Sequence, residues 1–213
     1  MGKENSERHL LKLIDFIEDY NDIWIVFQIG GRSLSSLTFK IKGEFYNSER
    51  IYRINKGVFL NHLFTNKSLF KDLIRKMLSF IQFTSGNNIV HSDIKPDNIL
   101  IEFGMNSNNK EMFIKDLKVI DFGSAFYINY PDNFSSNTPE YMSPEICDLL
   151  EKNSGSKDIV NFLGTLNSWV IDIWSLGITI LELLMMCPLW INYKCIIEKR
   201  GKVNLRNFNF DKG

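Results

Sequence analysis

The stretch from Trp169 to Met186 is apolar nearly all the way round. A helix of that kind has no polar face to offer water, so it must lie centrally and be wrapped by other elements. Asp172 and Glu182 fall inside it and argue against a membrane span, because a charge at membrane depth is expensive. Asp172 in such a helix reads as a buried anchor. Upstream, Phe70, Leu73, Ile74, Met77, Leu78 and Ile81 recur at steps of three and four, which predicts a second helix with one apolar face. Ser68 is its candidate N-cap and Gly86 its stop.

Strand signals surround these helices. Leu10–Ile17 predicts a strand, mostly buried, and Ile23–Phe27 a second one beyond the polar turn Glu18–Asp22. Together they predict an antiparallel hairpin, ended by Gly30-Gly31. Ser33–Asn66 mixes charged and aromatic residues without a clean period, so an irregular insertion with short elements is expected. Asn98–Phe103 and Leu117–Ile120 are strand-like, separated by the polar turn Gly104–Lys110. Ser124–Asn137 reads as loop, Pro144–Leu150 as a short helix, Lys152–Lys157 as a polar loop, and Lys194–Gly213 as polar and aperiodic. His9 is expected in a loop and His62 on the surface of the insertion. The class is α+β, and the length of 213 residues fits about one domain.

Formal net charge is zero, so no global field favours nucleic acid or an anionic membrane. Cys147, Cys187 and Cys195 have no Cys-x-x-Cys spacing and read as reduced thiols, which places the chain inside the cell, in the cytoplasm. The first residues are charged and lack the apolar core of a signal peptide.

The chemistry concentrates in His91-Ser92-Asp93-Ile94-Lys95-Pro96-Asp97-Asn98-Ile99-Leu100. Asp93 is followed two residues later by a cation and five residues later by an amide. Asp121-Phe122-Gly123 ends a short strand, where a carboxylate can hold Mg²⁺, an ion that prefers oxygen ligands and few of them from protein. Thr138-Pro139-Glu140-Tyr141-Met142-Ser143-Pro144-Glu145 follows after a loop.

These strings, in this order, resemble a eukaryotic protein kinase over about Leu10 to Trp190. His91–Asn98 resembles the catalytic loop, Asp121–Gly123 the Asp-Phe-Gly motif, Ser143–Glu145 the Ala-Pro-Glu motif, and Asp172–Gly177 the start of the central helix of the large lobe. The resemblance implies a protein-kinase-like, mainly α-helical C-terminal lobe with a residual β-hairpin of the N-terminal lobe. Residues 1–32 would be the residual strands and hinge. Residues 33–213 would be the C-lobe, with an insertion at about 35–66 and a truncation after the central helix.

The resemblance further implies transfer of the ATP γ-phosphoryl to a serine or threonine hydroxyl of a protein substrate, with Mg²⁺. Asp93 would receive or orient the hydroxyl proton and Lys95 would steady the phosphoryl group. Asn98 and Asp121 would hold the metal and with it the nucleotide. Phe27 would be the gatekeeper, the backbone of Gln28 and Gly30 would bond the adenine, and Leu100 would pack beneath it. Leu13, His91 and Phe122 would contribute to an apolar spine, and Asp172 would tie down the catalytic-loop backbone.

Departures from the family pattern shape further expectations. The Gly-rich loop, the ATP-binding Lys and its helix should precede Leu10, where nine residues stand. A fragment of a longer kinase is therefore expected. The alternative is a catalytically impaired kinase fold acting as a binding or scaffold module. Glu145 lacks an assigned Arg partner, with Arg200 and Arg206 both candidates. Ser92 replaces the family's Arg, so activity should not depend on phosphorylating Ser135, Ser136 or Thr138, and alanine at all three should leave turnover unchanged.

Overall fold

The computed structural model describes residues 7–46, 49–107, 111–130, 138–151, 156–167, 169–189, 191, 195–197 and 202–205. It opens with the hairpin β1 (Leu13–Glu18) and β2 (Ile23–Phe27), paired antiparallel and closed by a turn in which the Asp19 carboxylate accepts from the N–H of Asn21 and Asp22. Every residue of both strands is exposed, including Leu13 at 53%, Ile14 at 62% and Trp24 at 60%. The expectation of a mostly buried first strand is therefore corrected. β1 and β2 form a two-stranded sheet on their own, and a sheet that small has no second layer to cover either face.

β3 (Arg32–Ser33) joins β7 (Ile99–Met105) and β8 (Met112–Val119) in a three-stranded antiparallel sheet ordered β3-β7-β8. Gly31 permits that junction: its φ is 101°, and a Cβ there would run into the backbone of Ile101. Ser33 caps the short helix α1 (Leu34–Thr38) by accepting from the Ser36 N–H.

The stretch expected to be irregular is regular. β4 (Phe39–Tyr46) and β5 (Glu49–Lys56) pair through eight residues each, and α2 (Val58–Thr65) follows. Phe39 and Ile41 do alternate with Lys40 and Lys42. Over the whole stretch, however, helix, strand, strand and helix follow within a few residues, and their periods cancel. The polar tail yields β10 (Cys195–Ile197) and β11 (Lys202–Leu205), which extend the sheet in the order β10-β11-β5-β4.

α3 (Lys67–Ser85) is the amphipathic helix expected from the sequence. Its N-cap is Asn66, whose side chain accepts from Ser68 and Leu69 N–H, two residues before the expected Ser68; Gly86 ends it as predicted. Leu73, Met77 and Ile81 are buried, but so are Leu69 and Phe80, while Leu78 is 44% exposed. Each such buried side chain contributes about 1.5–3 kcal/mol by leaving water.

β6 (Ile89–Val90) pairs with β9 (Phe126–Tyr127), a short strand within the segment expected as loop. α4 (Pro144–Glu151), α5 (Ser156–Leu163) and α6 (Val170–Met185) complete the helices. The main core cluster joins α1, α2, α3, β7, β8 and α6; a second cluster joins Val90, Phe126, Ile146, Leu163 and Ile171. Among the described residues no helix is long and apolar enough to cross a membrane. α6 keeps one inward face: Asp172, Thr179 and Glu182 are buried there, while Trp174, Leu181, Leu184 and Met185 are exposed.

Candidate active site

The loop between β6 and β7 is fixed from beneath by α6. The Asp172 carboxylate, fully buried, accepts the backbone N–H of His91 through Oδ2 and of Ser92 through Oδ1, both at 2.9 Å. Burial raises the Asp172 carboxyl to about 6, against the two N–H bonds that lower it. Ser92 is held at φ 69°, a conformation that a non-glycine residue adopts only when its surroundings impose it.

His91 is fully buried and joins the loop to the next strand. Its Nδ1 faces the Asp93 N–H at 3.3 Å and its Nε2 faces the Ile120 carbonyl at 3.1 Å. That geometry suits a neutral ring protonated on Nε2, and burial, the largest cause, lowers its pKa. The ring lies 4.7 Å from Phe122 and 5.8 Å from Phe80, edge to face in each case. Phe80, from α3, is the member of this stack that sequence reading missed; Leu13 stands at 53% exposure on the separate hairpin.

Asp93 is 4% exposed and sits among three polar side chains. Lys95 Nζ lies 2.7 Å from its Oδ2, and the Thr138 hydroxyl donates to its Oδ1 at 2.6 Å. Lys95 Nζ also donates to Thr138 Oγ1 at 2.8 Å, which closes a triangle. The Asn98 amide donates from Nδ2 to the Asp93 carbonyl at 2.9 Å and to Oδ2 at 3.1 Å. Thr138 enters the site from far along the chain, beside the 3₁₀ turn Pro139–Tyr141. That turn is held by α6, since Ser175 Oγ donates to the Tyr141 carbonyl and Tyr141 OH to Glu182 Oε2, each at 2.8 Å.

Asp121 is placed by its neighbour. The Ile120 N–H donates to the Asn98 carbonyl at 2.9 Å while the Ile120 carbonyl faces His91, so the end of β8 is pinned beside the His91–Asn98 loop. Asp121 itself has φ 66° and caps the 3₁₀ turn Phe122–Ser124 through the Gly123 N–H, leaving the carboxylate exposed. Asn98 is 5% exposed, and with Nδ2 turned to Asp93 its Oδ1 has no hydrogen-bond partner among the described residues. A buried oxygen without a partner next to an exposed carboxylate suits a hard cation that takes few protein ligands. Among the described residues no group of three or more His, Cys, Asp or Glu offers a denser metal site.

The residues expected to form a hinge are arranged less tightly. Phe27, 48% exposed, ends β2 opposite Leu13. The Gln28 N–H is spent on the Lys12 carbonyl at 2.9 Å, which leaves its carbonyl for another donor. Gly30 lies against Leu11 and Leu100, whose side chains a Cβ at this position would meet. The structure therefore brings Gly30 and Leu100 together.

Other expectations meet the structure as follows. His9, expected in a loop, lies in a short helical turn, is 9% exposed and packs on Phe83 at 5.1 Å and Phe80 at 6.3 Å. Glu145 lies exposed in the first turn of α4, so it needs no buried ion pair; Arg200 and Arg206 lie outside the described residues, as do Ser135 and Ser136.

Comparison with known proteins decides the family. A protein-family profile described as the protein kinase domain matches residues 1–209. The chain belongs to the protein kinase family. Among its relatives, a probable inactive protein kinase of Arabidopsis thaliana is 26% identical over 209 residues, covering 85% of this chain and 53% of that protein. Calcium-dependent protein kinase 4 of Plasmodium falciparum is 29% identical over 84% of this chain and 26% of its own length. The phosphorylase b kinase gamma catalytic chain, liver/testis isoform, of Mus musculus is 25% identical over 84% of this chain and 35% of its own. The kinase chain thus spans about half the length of the first relative and about a quarter to a third of the other two. The α+β, kinase-like fold class fits this membership.

Proposed function

We propose that this chain carries the catalytic lobe of a serine/threonine protein kinase, which moves the γ-phosphoryl group of ATP to a hydroxyl of a protein substrate. The observation that carries the reading is the closed triangle of Asp93, Lys95 and Thr138, with the Asn98 amide bonded to the Asp93 carbonyl and to the same carboxylate oxygen as Lys95. The triangle orients the Asp93 carboxylate, so that a substrate hydroxyl brought beside it would find a proton acceptor already in place. Asp93 then takes the hydroxyl proton as the new P–O bond forms, and the bond to the leaving ADP oxygen breaks. Lys95 supplies a positive charge where negative charge builds on the phosphoryl oxygens. The Lys95 spacing from Asp93 supports serine/threonine acceptors.

Asn98 Oδ1 and Asp121 are the residues that would hold Mg²⁺, which would offset phosphate charge when bound. Leu100 and the backbone of Gln28 and Gly30 supply the adenine side of the site, with Phe27 behind it. The reading keeps nucleic acid and membranes out of the function and places the protein in the cytoplasm.

A second reading, an impaired kinase fold that binds partners, draws on two observations. The β1–β2 hairpin exposes both faces, and one relative is named a probable inactive kinase. An ATP-dependent phosphorylation assay on a generic protein substrate, run beside Asp121→Asn, separates the two. The enzyme reading expects turnover that the variant abolishes, and an Mg·ATP-dependent rise in Tm that the variant also loses. No turnover together with no such rise favours the binding module.

A further inference from the structure

The β1–β2 hairpin buries no residue of its own, so its place on the lobe is set by the chain at its two roots. One root is residues 7–12, and His9 seats it. The His9 ring is 9% exposed and lies 5.1 Å from Phe83 and 6.3 Å from Phe80 on α3, with Nε2 3.5 Å from Ser79 Oγ. Leu10 packs on the main core cluster beside it, and Lys118 Nζ donates to the Glu7 carbonyl. The Lys12 carbonyl accepts the Gln28 N–H, which ties this root to the other one. Phe80 also meets His91 and Phe122, so His9 sits on one side of the aromatic stack behind Asp121.

This seat suits a neutral imidazole and opposes a charged one. His9 forms no ion pair among the described residues. The charged groups around it are Glu7 and Arg8 on its own segment, both exposed, then Lys115, Asp116 and Lys118 on β8, and Asp72, Arg75 and Lys76 on α3. The carboxylates on β8 and α3 are already paired: Asp116 lies 3.0 Å from Lys118, and Asp72 lies 3.6 Å from Arg75 and 4.0 Å from Lys76. Burial first, then Lys118 and Arg8, lower the His9 pKa from its ordinary 6.5, while Asp116 acts in the opposite sense. A group whose pKa is lowered by folding adds stability that is full above about pH 6.5 and lost as pH falls through the lowered value.

We infer that His9 is a proton-operated latch: a proton on its ring in mildly acid solution releases residues 7–12 from α3 and β8 and frees the root of the hairpin, while the rest of the lobe stays folded. A charged ring between Phe80 and Phe83 has only Ser79 Oγ as a side-chain acceptor and meets like charge at Lys118. Once released, the segment draws Lys12 away from Gln28. The consequence for adenine binding rests on the function proposed above, in which Gln28 and Gly30 line the nucleotide; the latch itself stands without it.

Nuclear magnetic resonance of the full chain with labelled histidine rings reads the proton directly, because the chain has three histidines and His9→Phe assigns one signal. His9 should titrate at lower pH than the exposed His62. Hydrogen exchange with mass spectrometry, at about pH 7.5 and about pH 5.5, reads the release. His9→Phe keeps a ring on Phe80 and Phe83 but has no proton to gain. Opening of the peptide over residues 7–13 is taken as the ratio of wild type to variant at each pH, so that intrinsic exchange chemistry and the titration of Asp172 cancel. That ratio should rise about threefold or more on acidification, while α3 keeps its protection. His9→Gln, also unable to titrate in this range, gives the same comparison should the larger ring not fit. A His9 midpoint at or above that of His62, a ratio that does not change with pH, or a rise shared equally by α3 would overturn the latch.

Discussion

Asp172 holds His91 from beneath: its Oδ2 accepts the His91 N–H at 2.9 Å, inside a helix where it is fully buried. With its second oxygen on Ser92, this one carboxylate fixes the backbone of the loop that presents Asp93. The cost of burial shows in its carboxyl, raised to about 6.

The sign of the resulting pH dependence follows from that shift. An unfolded Asp titrates near about 3.9, so the folded state binds the proton more tightly over the window from there to about 6. The contribution of this group to stability is full below about pH 4 and lost as pH rises through about 6. Asp172→Asn cannot titrate. The difference in urea unfolding free energy, wild type minus variant, should grow by on the order of 2–3 kcal/mol from pH 7 to pH 4. A difference that shrinks on acidification would contradict the assignment.

Thr138 joins Lys95 and Asp93 through one hydroxyl, so the expectation that alanine at Ser135, Ser136 and Thr138 together is harmless needs revision. Thr138→Ala should lower turnover by roughly ten- to a hundredfold, the worth of a hydrogen bond to a charged group. Thr138→Ser should retain most of it, and Ser135→Ala with Ser136→Ala should change nothing. Steady-state kinetics on the three variants distinguishes a positioning hydroxyl from a phosphorylation requirement.

Tyr141 satisfies a buried carboxylate. Its hydroxyl donates to Glu182 Oε2 at 2.8 Å, while Oε1 accepts the Leu189 N–H at 2.9 Å. Burial raises the Glu182 pKa and, with the Glu182 charge beside it, pushes the Tyr141 phenol well above its usual range. Tyr141→Phe should cost about 1–3 kcal/mol, read as a lower Tm by calorimetry. An unchanged Tm would mean that the pair contributes no net stability.

The hairpin makes the opposite prediction. Phe16 and Trp24 are 53% and 60% exposed on strands that bury no residue. Phe16→Thr with Trp24→Thr should change unfolding free energy by less than about 0.5 kcal/mol per site and raise the concentration at which the chain aggregates. A loss of several kcal/mol would mean that these side chains are packed in solution.

Some elements were legible because their signal is local. The period of three and four in α3, the Gly86 stop and the extent of α6 follow from short-range sterics and from the need to hide apolar surface. The spacing among Asp93, Lys95 and Asn98 is likewise contained in one short loop, so their proximity is built into the backbone. His9 escaped notice because it is buried by ring contacts with Phe80 and Phe83 on a distant helix, and the place of Phe80 in the site because it comes from contacts with His91 and Phe122, neither of which local periodicity registers. β4, β5 and β11 escaped because strand pairing joins residues as distant as Tyr52 and Val203.

The amino-acid sequence by itself determined the chemistry available, the family pattern and the two helices on which the lobe is built. Only the tertiary structure decided that Thr138 closes on Asp93 and Lys95, that Ile120 pins Asp121 beside Asn98, and that the hairpin presents both faces to water. The reason is physical. Local order is set by backbone torsions and side-chain periodicity within a few residues, whereas a site assembled from three segments depends on which buried polar groups find partners once the chain has closed.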